Sequence, residues 1–486
     1  MASLTELQPT SLWHFFNQIC SIPHPSYHEQ ALAEWIMNWA KQKGIAAKRD
    51  DVGNIILSKP ATAGMEDRKG AILQAHLDMV PQANSDKQHD FTSDPIEAYI
   101  DGEWVTANGT TLGSDNGIGL SSILAVFDAD NIAHGPLEAL LTMTEEAGMD
   151  GAFGLKSGWL EGSVLLNTDS EQEGEIYMGC AGGGDTQAKF KADWVNAPAG
   201  QAYQIQIKGL KGGHSGCDIH TGRGNANKLL ARLLNELTRE FSYSLAFIAG
   251  GSLRNAIPRE AHATIIVAPN NTNQLEKFIS QYQQTLLDEL GNVESSLQIS
   301  SHPTDKPEQV FSPDLTSRVL KALHASPNGV ISMSQEMKGV VETSLNMGVL
   351  STTEAGDITV RFLVRSLVDS HRKHVERVLA SLFSLAGADI HSDNGYPGWK
   401  PDPHSPIMEI VRDTYQHLYG TKPNIMVIHA GLECGLFKTA YPHWDMVSFG
   451  PTIKFPHSPD EKVNIASVAK YWALLVETLK NIPKAA

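Results

Sequence analysis

Residues 71–80 read AILQAHLDMV, and the first six form an apolar run with the length and composition of a buried strand. Residues two apart on a strand point to the same side, so His76 and Asp78 are predicted to project together near its carboxyl end. Two more apolar runs, residues 136–143 (PLEALLTM) and 163–168 (SVLLNT), have the same character, and helix-like stretches lie between the runs. This alternation predicts an α/β domain with a mixed central sheet flanked by helices.

The pattern changes after the glycine-dense segment CAGGGD at residues 180–185. Alternating strands follow near residue 203 and over residues 261–267 and 357–365, with helices beginning near residues 225, 274 and 372. These elements predict a separate α+β domain over residues 185–398. Long helical and buried-strand signals then return, and residues 463–479 are predicted to form a final amphipathic helix. The first domain is therefore predicted to consist of residues 1–184 and 399–486, with the second inserted.

Composition excludes several classes of protein. The chain has 486 residues, of which 41% are apolar, and 38 Lys and Arg against 55 Asp and Glu give a formal charge of -17. This balance argues against nucleic acid or an anionic membrane as a partner, because both require a basic surface. The four cysteines form no CxxC pair, and neither a secretory signal nor a long apolar run is visible. We therefore expect a soluble cytoplasmic protein.

Polar residues follow the predicted buried strands or open the next helix. In open α/β sheets, binding sites form beyond the carboxyl ends of strands, so these side chains are expected to meet. Several converging carboxylates repel one another and need a compensating cation. Imidazole and carboxylate ligands without thiolates fit zinc, manganese or cobalt in a hydrolytic site. The candidates are His76, Asp78, Asp115 (GSDNGIG), Glu145 and Glu146 (TMTEEAGMDG), Asp169 (NTDSEQEG) and His457 (KFPHSPDE).

Each of these motifs is common when it stands alone. Paired glutamates often open a solvated helix, and an aspartate before Asn-Gly is usually a turn residue. The joint pattern is much harder to obtain by chance. A cysteine nucleophile paired with His214 or His429 is an alternative, but nothing near the cysteines indicates an activated thiol. The glycine-rich stretches lack the spacing of a phosphate-binding loop.

The motifs together resemble the bacterial dipeptidases among the co-catalytic zinc peptidases with an inserted lid domain. The resemblance extends from residue 21 to the final helix, and the superfamily includes carnosinases, carboxypeptidase G and aminoacylases. It implies a zinc-exopeptidase-like catalytic domain, a lid that also mediates dimerisation, and a cytoplasmic homodimer. It is carried by HLDMVP, GSDNGIG, TMTEEAGMDGAFGL, NTDSEQEGEIYMGCAGG, KGLKGGHSGCDIH, RNAIPRE, HAGLECGLF and GPTIKFPHSPDE.

The resemblance assigns a role to each candidate in the first domain. It implies that His76 and Asp169 bind one zinc ion, Glu146 and His457 bind the other, and Asp115 bridges the two. Asp78 would orient His76, and Glu145 would be the general base. The resemblance also implies a cis peptide bond between Asp115 and Asn116.

The lid is expected to supply contacts to the substrate. By resemblance, His214 would stabilise the oxyanion of the tetrahedral intermediate, commonly by reaching across a dimer. Asn255 and Arg365 would hold the carboxylate at the substrate's C-terminus, and Gly431 would add backbone donors. Arg365 alternates with apolar residues on a strand, so a surface salt bridge is an alternative role for it.

These expectations predict metal-dependent hydrolysis of unblocked dipeptides, of the Xaa-His type and broader. The resemblance implies two zinc ions per subunit, with manganese or cobalt as possible substitutes, and a water molecule activated between them. The alternatives are an N-acyl amino-acid deacylase or another exopeptidase that uses the same site, and a metal-loaded binding protein without catalysis. A two-metal phosphodiesterase acting on nucleic acid is disfavoured by the negative charge.

Overall fold

The apolar run at residues 71–76 forms a strand, Ala71–His76, in which all six residues are buried. It belongs to the first of two units, which comprises Met1–Cys180, Trp399–Val427 and Leu432–Ala486. The second unit comprises Ala181–Gly398 and Ile428–Gly431. The computed structural model describes residues 3–393 and 395–485.

The N-terminal part of the first unit alternates between strands and helices. After a 3-10 turn at Leu4–Glu6, its helices are α1 (Thr10–Cys20), α2 (Gln30–Lys43), α3 (Ser114–Asp128), α4 (Glu145–Gly148) and α5 (Asp150–Gly154). Its strands are β1 (Ala46–Arg49), β2 (Ile55–Lys59), β3 (Ala71–His76), β4 (Ala98–Asp101), β5 (Trp104–Ala107), β6 (Leu137–Thr142), β7 (Val164–Asn167) and β8 (Glu175–Cys180).

The second unit is richer in strands. Its helices are α6 (Ala226–Glu240), α7 (Thr272–Leu290), α8 (Pro313–Ala325) and α9 (Asp369–Leu385), with a 3-10 turn at Pro269–Asn271. Its strands are β9 (Gly182–Phe190), β10 (Trp194–Asn196), β11 (Gln201–Lys208), β12 (Gly213–His214), β13 (Tyr243–Gly250), β14 (Ala256–Ile257), β15 (Ala261–Val267), β16 (Gln298–Thr304), β17 (Gln309–Phe311), β18 (Gly329–Met333), β19 (Val341–Thr352), β20 (Ile358–Ser366) and β21 (Asp389–Ser392).

The chain then completes the first unit. The remaining strands are β22 (Asn424–Ile428), β23 (Asp445–Ser448), β24 (Ile453–Lys454) and β25 (Lys462–Asn464), and the remaining helices are α10 (Pro406–Tyr419), α11 (Glu433–Ala440) and α12 (Ile465–Asn481).

The large sheet of the first unit is mixed and has the order β1-β2-β6-β3-β7-β23-β8-β22. Its central strand β3 pairs in parallel with β6 on one side and β7 on the other. The carboxyl ends of these three strands therefore lie at the same edge. A four-stranded sheet, β24-β25-β5-β4, also belongs to this unit.

The second unit is built on an antiparallel sheet of nine strands in the order β16-β11-β15-β13-β19-β20-β9-β21, with β18 also paired to β19. Side chains from this sheet and from α6 to α9 share one apolar core. Arg365 on β20 lies opposite Gly183 on β9 in the register of this sheet.

Most predicted elements form close to their expected positions, and the central sheet of the first unit is mixed, as expected. The helix predicted to begin at Val463 begins at Ile465 instead, because Val463 and Asn464 end strand β25. The predicted domain boundary after residue 184 falls inside β9, which starts at Gly182. Residues 428–431 group with the second unit, where the Ile428 carbonyl accepts a hydrogen bond from the Ala181 N–H at 3.0 Å.

The start of α12 offers a test of this correction. The Asn464 side chain accepts a hydrogen bond from the Ser467 N–H at 2.9 Å, as an N-cap does. We expect Asn464→Ala to lower the free energy of unfolding by about 1 kcal/mol in urea denaturation, because a helix-end donor loses its acceptor. Asn464→Asp keeps the acceptor and should remain near wild type. Equal destabilisation by both variants would contradict the cap.

Candidate metal centre and substrate-binding residues

Three neighbouring strands bring the predicted ligands to one edge of the first unit's large sheet. His76 is the last residue of β3, the glutamate pair opens α4 shortly after β6, and Asp169 follows β7 by two residues. Because these strands are parallel neighbours, the side chains that follow them converge. His76, Asp115, Glu146, Asp169 and His457 all belong to this cluster.

Asp115 lies between two pairs of side chains. Its Oδ1 is 3.3 Å from Nε2 of His76, and the same nitrogen is 3.3 Å from Oδ1 of Asp169. Its Oδ2 is 3.2 Å from Nε2 of His457, which in turn is 3.0 Å from Oε1 of Glu146. The two oxygens of one carboxylate therefore face two separate imidazole–carboxylate pairs, as a bridging ligand must.

These donors fit divalent cations. Oε1 of Glu146 and Oδ1 of Asp169 are buried without a hydrogen bond, although an imidazole nitrogen lies near each. Ligands about 2.0–2.1 Å from a tetrahedral zinc ion lie about 3.3–3.4 Å apart, close to the separations in this cluster. Ligand atoms of His76, Asp115 and Glu146 all lie within 4.8 Å of one another. Manganese and cobalt accept the same donor types.

Crowding of the carboxylates shifts their proton affinities. Burial, reinforced by Asp115, raises the pKa of Asp169 to about 7. Burial and the carboxylates of Asp169 and Glu146 likewise raise the pKa of Glu145 well above its ordinary value. Hydrogen bonds to Asp115 and Glu146 raise the pKa of His457 to about 11. Bound protons therefore supply positive charge to this cluster, and a divalent ion would supply the same compensation.

Asp78 ties the His76 ring to the turn that carries the glutamate pair. Nδ1 of His76 lies 2.9 Å from the backbone carbonyl of Asp78 and 3.3 Å from its Oδ1, which leaves Nε2 to face the cluster. The Asp78 carboxylate also accepts hydrogen bonds from the backbone N–H groups of Glu145 at 2.8 Å and Glu146 at 3.1 Å. One carboxylate therefore positions a predicted ligand and the backbone of the predicted base.

The N-terminal segment supports this turn through contacts that the sequence analysis missed. Ser26 Oγ donates to Asp78 Oδ2 at 2.7 Å. Glu29, which is 2% exposed, accepts hydrogen bonds from the N–H and the hydroxyl of Thr144, both at 2.8 Å. Thr144 has a φ of 55°, a left-handed conformation that is rare for a β-branched residue. Glu29 thus stabilises the residue that directly precedes the glutamate pair, and no local sequence signal links the two.

Glu461 fixes the backbone that leads into Asp115. This buried carboxylate accepts hydrogen bonds from the three N–H groups of residues 112–114 at 2.8–3.2 Å. The Asp115–Asn116 peptide bond is cis, as the resemblance implies. Because Glu461 follows His457 by four residues, it joins the loop of one predicted ligand to the turn of another. The sequence analysis gave Glu461 no role.

Arg365 is the centre of a cluster in the second unit. Its Nε lies 3.3 Å from Ser215 Oγ, its Nη1 lies 3.2 Å from the hydroxyl of Tyr396, and its Nη2 lies 3.3 Å from Nε2 of His214. Arg365 is only 4% exposed, so the alternative of a salt bridge at the surface is wrong. No carboxylate oxygen lies within 4.0 Å of its guanidinium nitrogens among residues 3–393 and 395–485. A buried guanidinium without an anion is costly, so this cluster fits an anionic ligand.

Backbone N–H groups orient the His214 ring. Its Nδ1 accepts hydrogen bonds from the N–H groups of Cys217 at 3.0 Å and Gly216 at 3.3 Å, and its Nε2 lies 3.3 Å from Nη2 of Arg365. Burial and the adjacent Arg365 lower the pKa of His214 to about 4. The His214 ring is therefore uncharged near neutral pH.

The remaining predicted lid residues lie beside this cluster. The Asn255 carbonyl accepts a hydrogen bond from the Ser215 N–H at 2.8 Å, and the Asn255 residue is exposed. Gly431 packs against the Tyr396 ring, since a Cβ at Gly431 would lie 3.0 Å from Tyr396 Cε2. Tyr396 and Ser215 were not among the predicted residues, because their chain positions carry no motif of their own.

The cysteines do not favour a thiol nucleophile. Cys20, Cys180 and Cys434 are buried. Burial raises the pKa of Cys20 to about 12 and that of Cys434 well above its ordinary value. Cys217 is exposed, and its backbone N–H donates to His214 Nδ1.

Comparison with known proteins shows the family of this chain. Residues 72–481 match the sequence profile of peptidase family M20/M25/M40. The chain belongs to this family. It is 56% identical over 484 residues to the cytosol non-specific dipeptidase of Escherichia coli K12, a match that covers 99% of this chain and 100% of that protein.

Solved structures of the family show the same fold. The aminoacylhistidine dipeptidase from Vibrio alginolyticus matches with a TM-score of 0.93 at 57% identity, over 100% of this chain and 99% of that one. The aminopeptidase PepT from Bacillus cereus matches with a TM-score of 0.63 at 16% identity, over 98% of this chain and 100% of that one, and so shares the fold. These matches confirm the predicted family. Among the described residues of this family member, no helix has the length and apolar content of a membrane span.

The contact between Glu29 and Thr144 can be tested by kinetics. We expect Glu29→Ala to lower kcat by about 10- to 100-fold with metal content unchanged, because two hydrogen bonds to a carboxylate are lost before the glutamate pair. Glu29→Gln keeps an acceptor oxygen and should recover most of the activity. Glu34→Ala, an exposed glutamate on α2, is the matched control. An unchanged kcat in Glu29→Ala would refute the positioning role.

The low pKa of His214 has a measurable consequence. Histidine-selective NMR, assigned with His214→Gln, should show the ring neutral down to a pH near 4. Arg365 and Asp218 are the charged groups that face it. Between the folded pKa of about 4 and the ordinary value of 6.5, the unfolded chain binds more protons, so this group makes stability rise with pH across that window. A His214 titration near pH 6.5 would contradict the assignment.

Proposed function

We propose that the protein is a metal-dependent dipeptidase that hydrolyses unblocked dipeptides, with Xaa-His substrates among them. The observation that carries the proposal is the position of Asp115, whose two oxygens face His76 with Asp169 and His457 with Glu146. The 56% identity to a non-specific dipeptidase over nearly the whole chain favours this substrate class over an N-acyl amino-acid deacylase.

The proposed ligands hold two zinc ions per subunit, with manganese or cobalt as substitutes. His76 and Asp169 would bind one ion, Glu146 and His457 the other, and Asp115 both. When bound, such ions polarise the peptide carbonyl and lower the pKa of water. The buried oxygens of Glu146 and Asp169, which accept no hydrogen bond, support this assignment.

The chain's own residues carry the proton and hold the substrate. Glu145 has the raised pKa that suits a group which accepts a proton from the attacking water and passes it to the leaving amine. His214 is proposed to donate a hydrogen bond to the developing oxyanion. Arg365 is proposed to bind the carboxylate at the substrate's C-terminus, with Asn255 and Gly431 as further contacts.

The proposal extends to location and assembly. The relative from Escherichia coli is named a cytosol enzyme, and we propose the cytoplasm for this protein too. The resemblance favours a homodimer that forms through the second unit, which would act as the lid. Light scattering of the purified protein would measure the oligomeric state, and a monomer would refute the dimer.

The substrate class is tested with matched compounds. The metal-loaded protein should cleave a free dipeptide, and cleave its N-acetylated form much more slowly. A chelator should abolish activity, and added zinc should restore it. Preference for the N-acetylated compound would favour the deacylase, and binding of dipeptides without cleavage would favour a metal-loaded binding protein.

Glu145 has a test of its own. We expect Glu145→Ala to retain its metal, because Glu145 is not one of the proposed ligands, and to lose about 10²- to 10⁴-fold in kcat as a general base does. Metal content is measured by mass spectrometry alongside the kinetics. Glu66→Ala, an exposed glutamate of the same unit, is the control. Near wild-type turnover in Glu145→Ala would remove Glu145 from this role.

A further inference from the structure

The glycine-rich segment that follows Cys180 has no phosphate-loop spacing, and the structure shows what its glycines adjoin. Gly183 and Tyr396 exchange backbone hydrogen bonds, with the Tyr396 N–H donating at 2.8 Å and the Gly183 N–H at 3.1 Å. A Cβ at Gly183 would lie 2.7 Å from both Cζ and the hydroxyl oxygen of Tyr396. A Cβ at Gly431 would lie 3.1 Å from the same oxygen. Two glycines from distant segments therefore leave the space that the Tyr396 ring fills.

Strand register places this tyrosine beside Arg365. Gly183 lies directly opposite Arg365 in the pairing of β9 with β20. The ring that lies against Gly183 thus brings its hydroxyl to Arg365, whose Nη1 donates to it at 3.2 Å. The position of the hydroxyl follows from backbone pairing and from the missing side chains at two glycines, which makes it rigid.

The O–H group of Tyr396 can still donate a hydrogen bond. Its oxygen accepts from Arg365, and its proton has no acceptor among residues 3–393 and 395–485. Arg365 contacts only neutral groups within that same part of the chain. A buried cation and an adjacent free O–H donor together form a two-point receptor for a carboxylate.

We propose that Tyr396 is a specificity-determining residue whose hydroxyl donates to the C-terminal carboxylate of the substrate beside the Arg365 guanidinium. This inference rests on the proposed dipeptidase function, and it explains the glycines at residues 183 and 431 as the space for the ring. Removal of the hydroxyl takes one charge-assisted hydrogen bond from substrates that end in a carboxylate. Substrates that end in an amide lose less.

The experiment compares the metal-loaded wild type and Tyr396→Phe on a free dipeptide and on its C-terminal amide. Phenylalanine keeps the ring between the glycines and removes only the hydroxyl. We expect KM for the free dipeptide to rise about tenfold or more in Tyr396→Phe, with kcat within about threefold. The amide's kcat/KM should change by less than about threefold. A purely structural role would instead move both substrates equally.

Two further variants complete the test. Tyr243→Phe removes a phenol hydroxyl elsewhere in the same unit, where it donates to the Leu234 carbonyl at 2.7 Å, and should leave both substrates at wild-type values. Gly183→Ala, checked for wild-type thermal unfolding, should displace the ring and reproduce the rise in KM. If the wild type cleaves dipeptides and Tyr396→Phe has the wild-type KM, this inference is overturned while the proposed function stands. A wild type that cleaves no dipeptide would overturn the proposed function and this inference with it.

Discussion

Like charges held together out of water dominate the first unit. Three carboxylates, Asp115, Glu146 and Asp169, meet two imidazoles, His76 and His457, with nitrogen–oxygen separations of 3.0–3.3 Å. Burial, reinforced by neighbouring carboxylates, raises the pKa values of Asp169 and Glu145. The parallel pairing of β3 with β6 and β7 makes the convergence possible, because three strand ends open at one edge.

A second layer of buried carboxylates holds this cluster in place, and it works through backbone N–H groups. Asp78 accepts from the N–H groups of the glutamate pair, Glu29 from that of Thr144, and Glu461 from those of residues 112–114. Each is buried, and each acceptor fixes a turn whose conformation helical or strand hydrogen bonds alone do not determine. The carboxylates of the candidate metal centre and those that position its turns are therefore different residues. The second unit has a buried charge of the opposite sign, because the Arg365 cation contacts only neutral groups among the described residues. A bound cation would compensate the charge of the first cluster, and a bound anion would compensate that of the second.

Sequence patterns predicted the ligand cluster well because its members sit next to strong local signals. Apolar runs mark the strands that precede His76 and Asp169, and the run ending near Met143 marks the glutamate pair. The predicted start of the last helix, Val463, was wrong by two residues. The sequence alone does not distinguish an apolar residue at the end of a strand from one that begins a helix. Glu29 and Tyr396 could not be found in this way. Their partners are 115 residues away in Thr144 and 31 residues away in Arg365, and nothing near either residue indicates the contact.

The sequence by itself determined the fold class, the family and the identity of the candidate ligands, because periodicity and motif spacing are local properties that survive without coordinates. Tertiary structure decided which oxygen of Asp115 faces which pair, that Nδ1 of His214 accepts from two backbone N–H groups, and that Arg365 is buried rather than paired at the surface. These properties depend on distances between segments far apart in the chain. Only the packed sheets and their register set such distances.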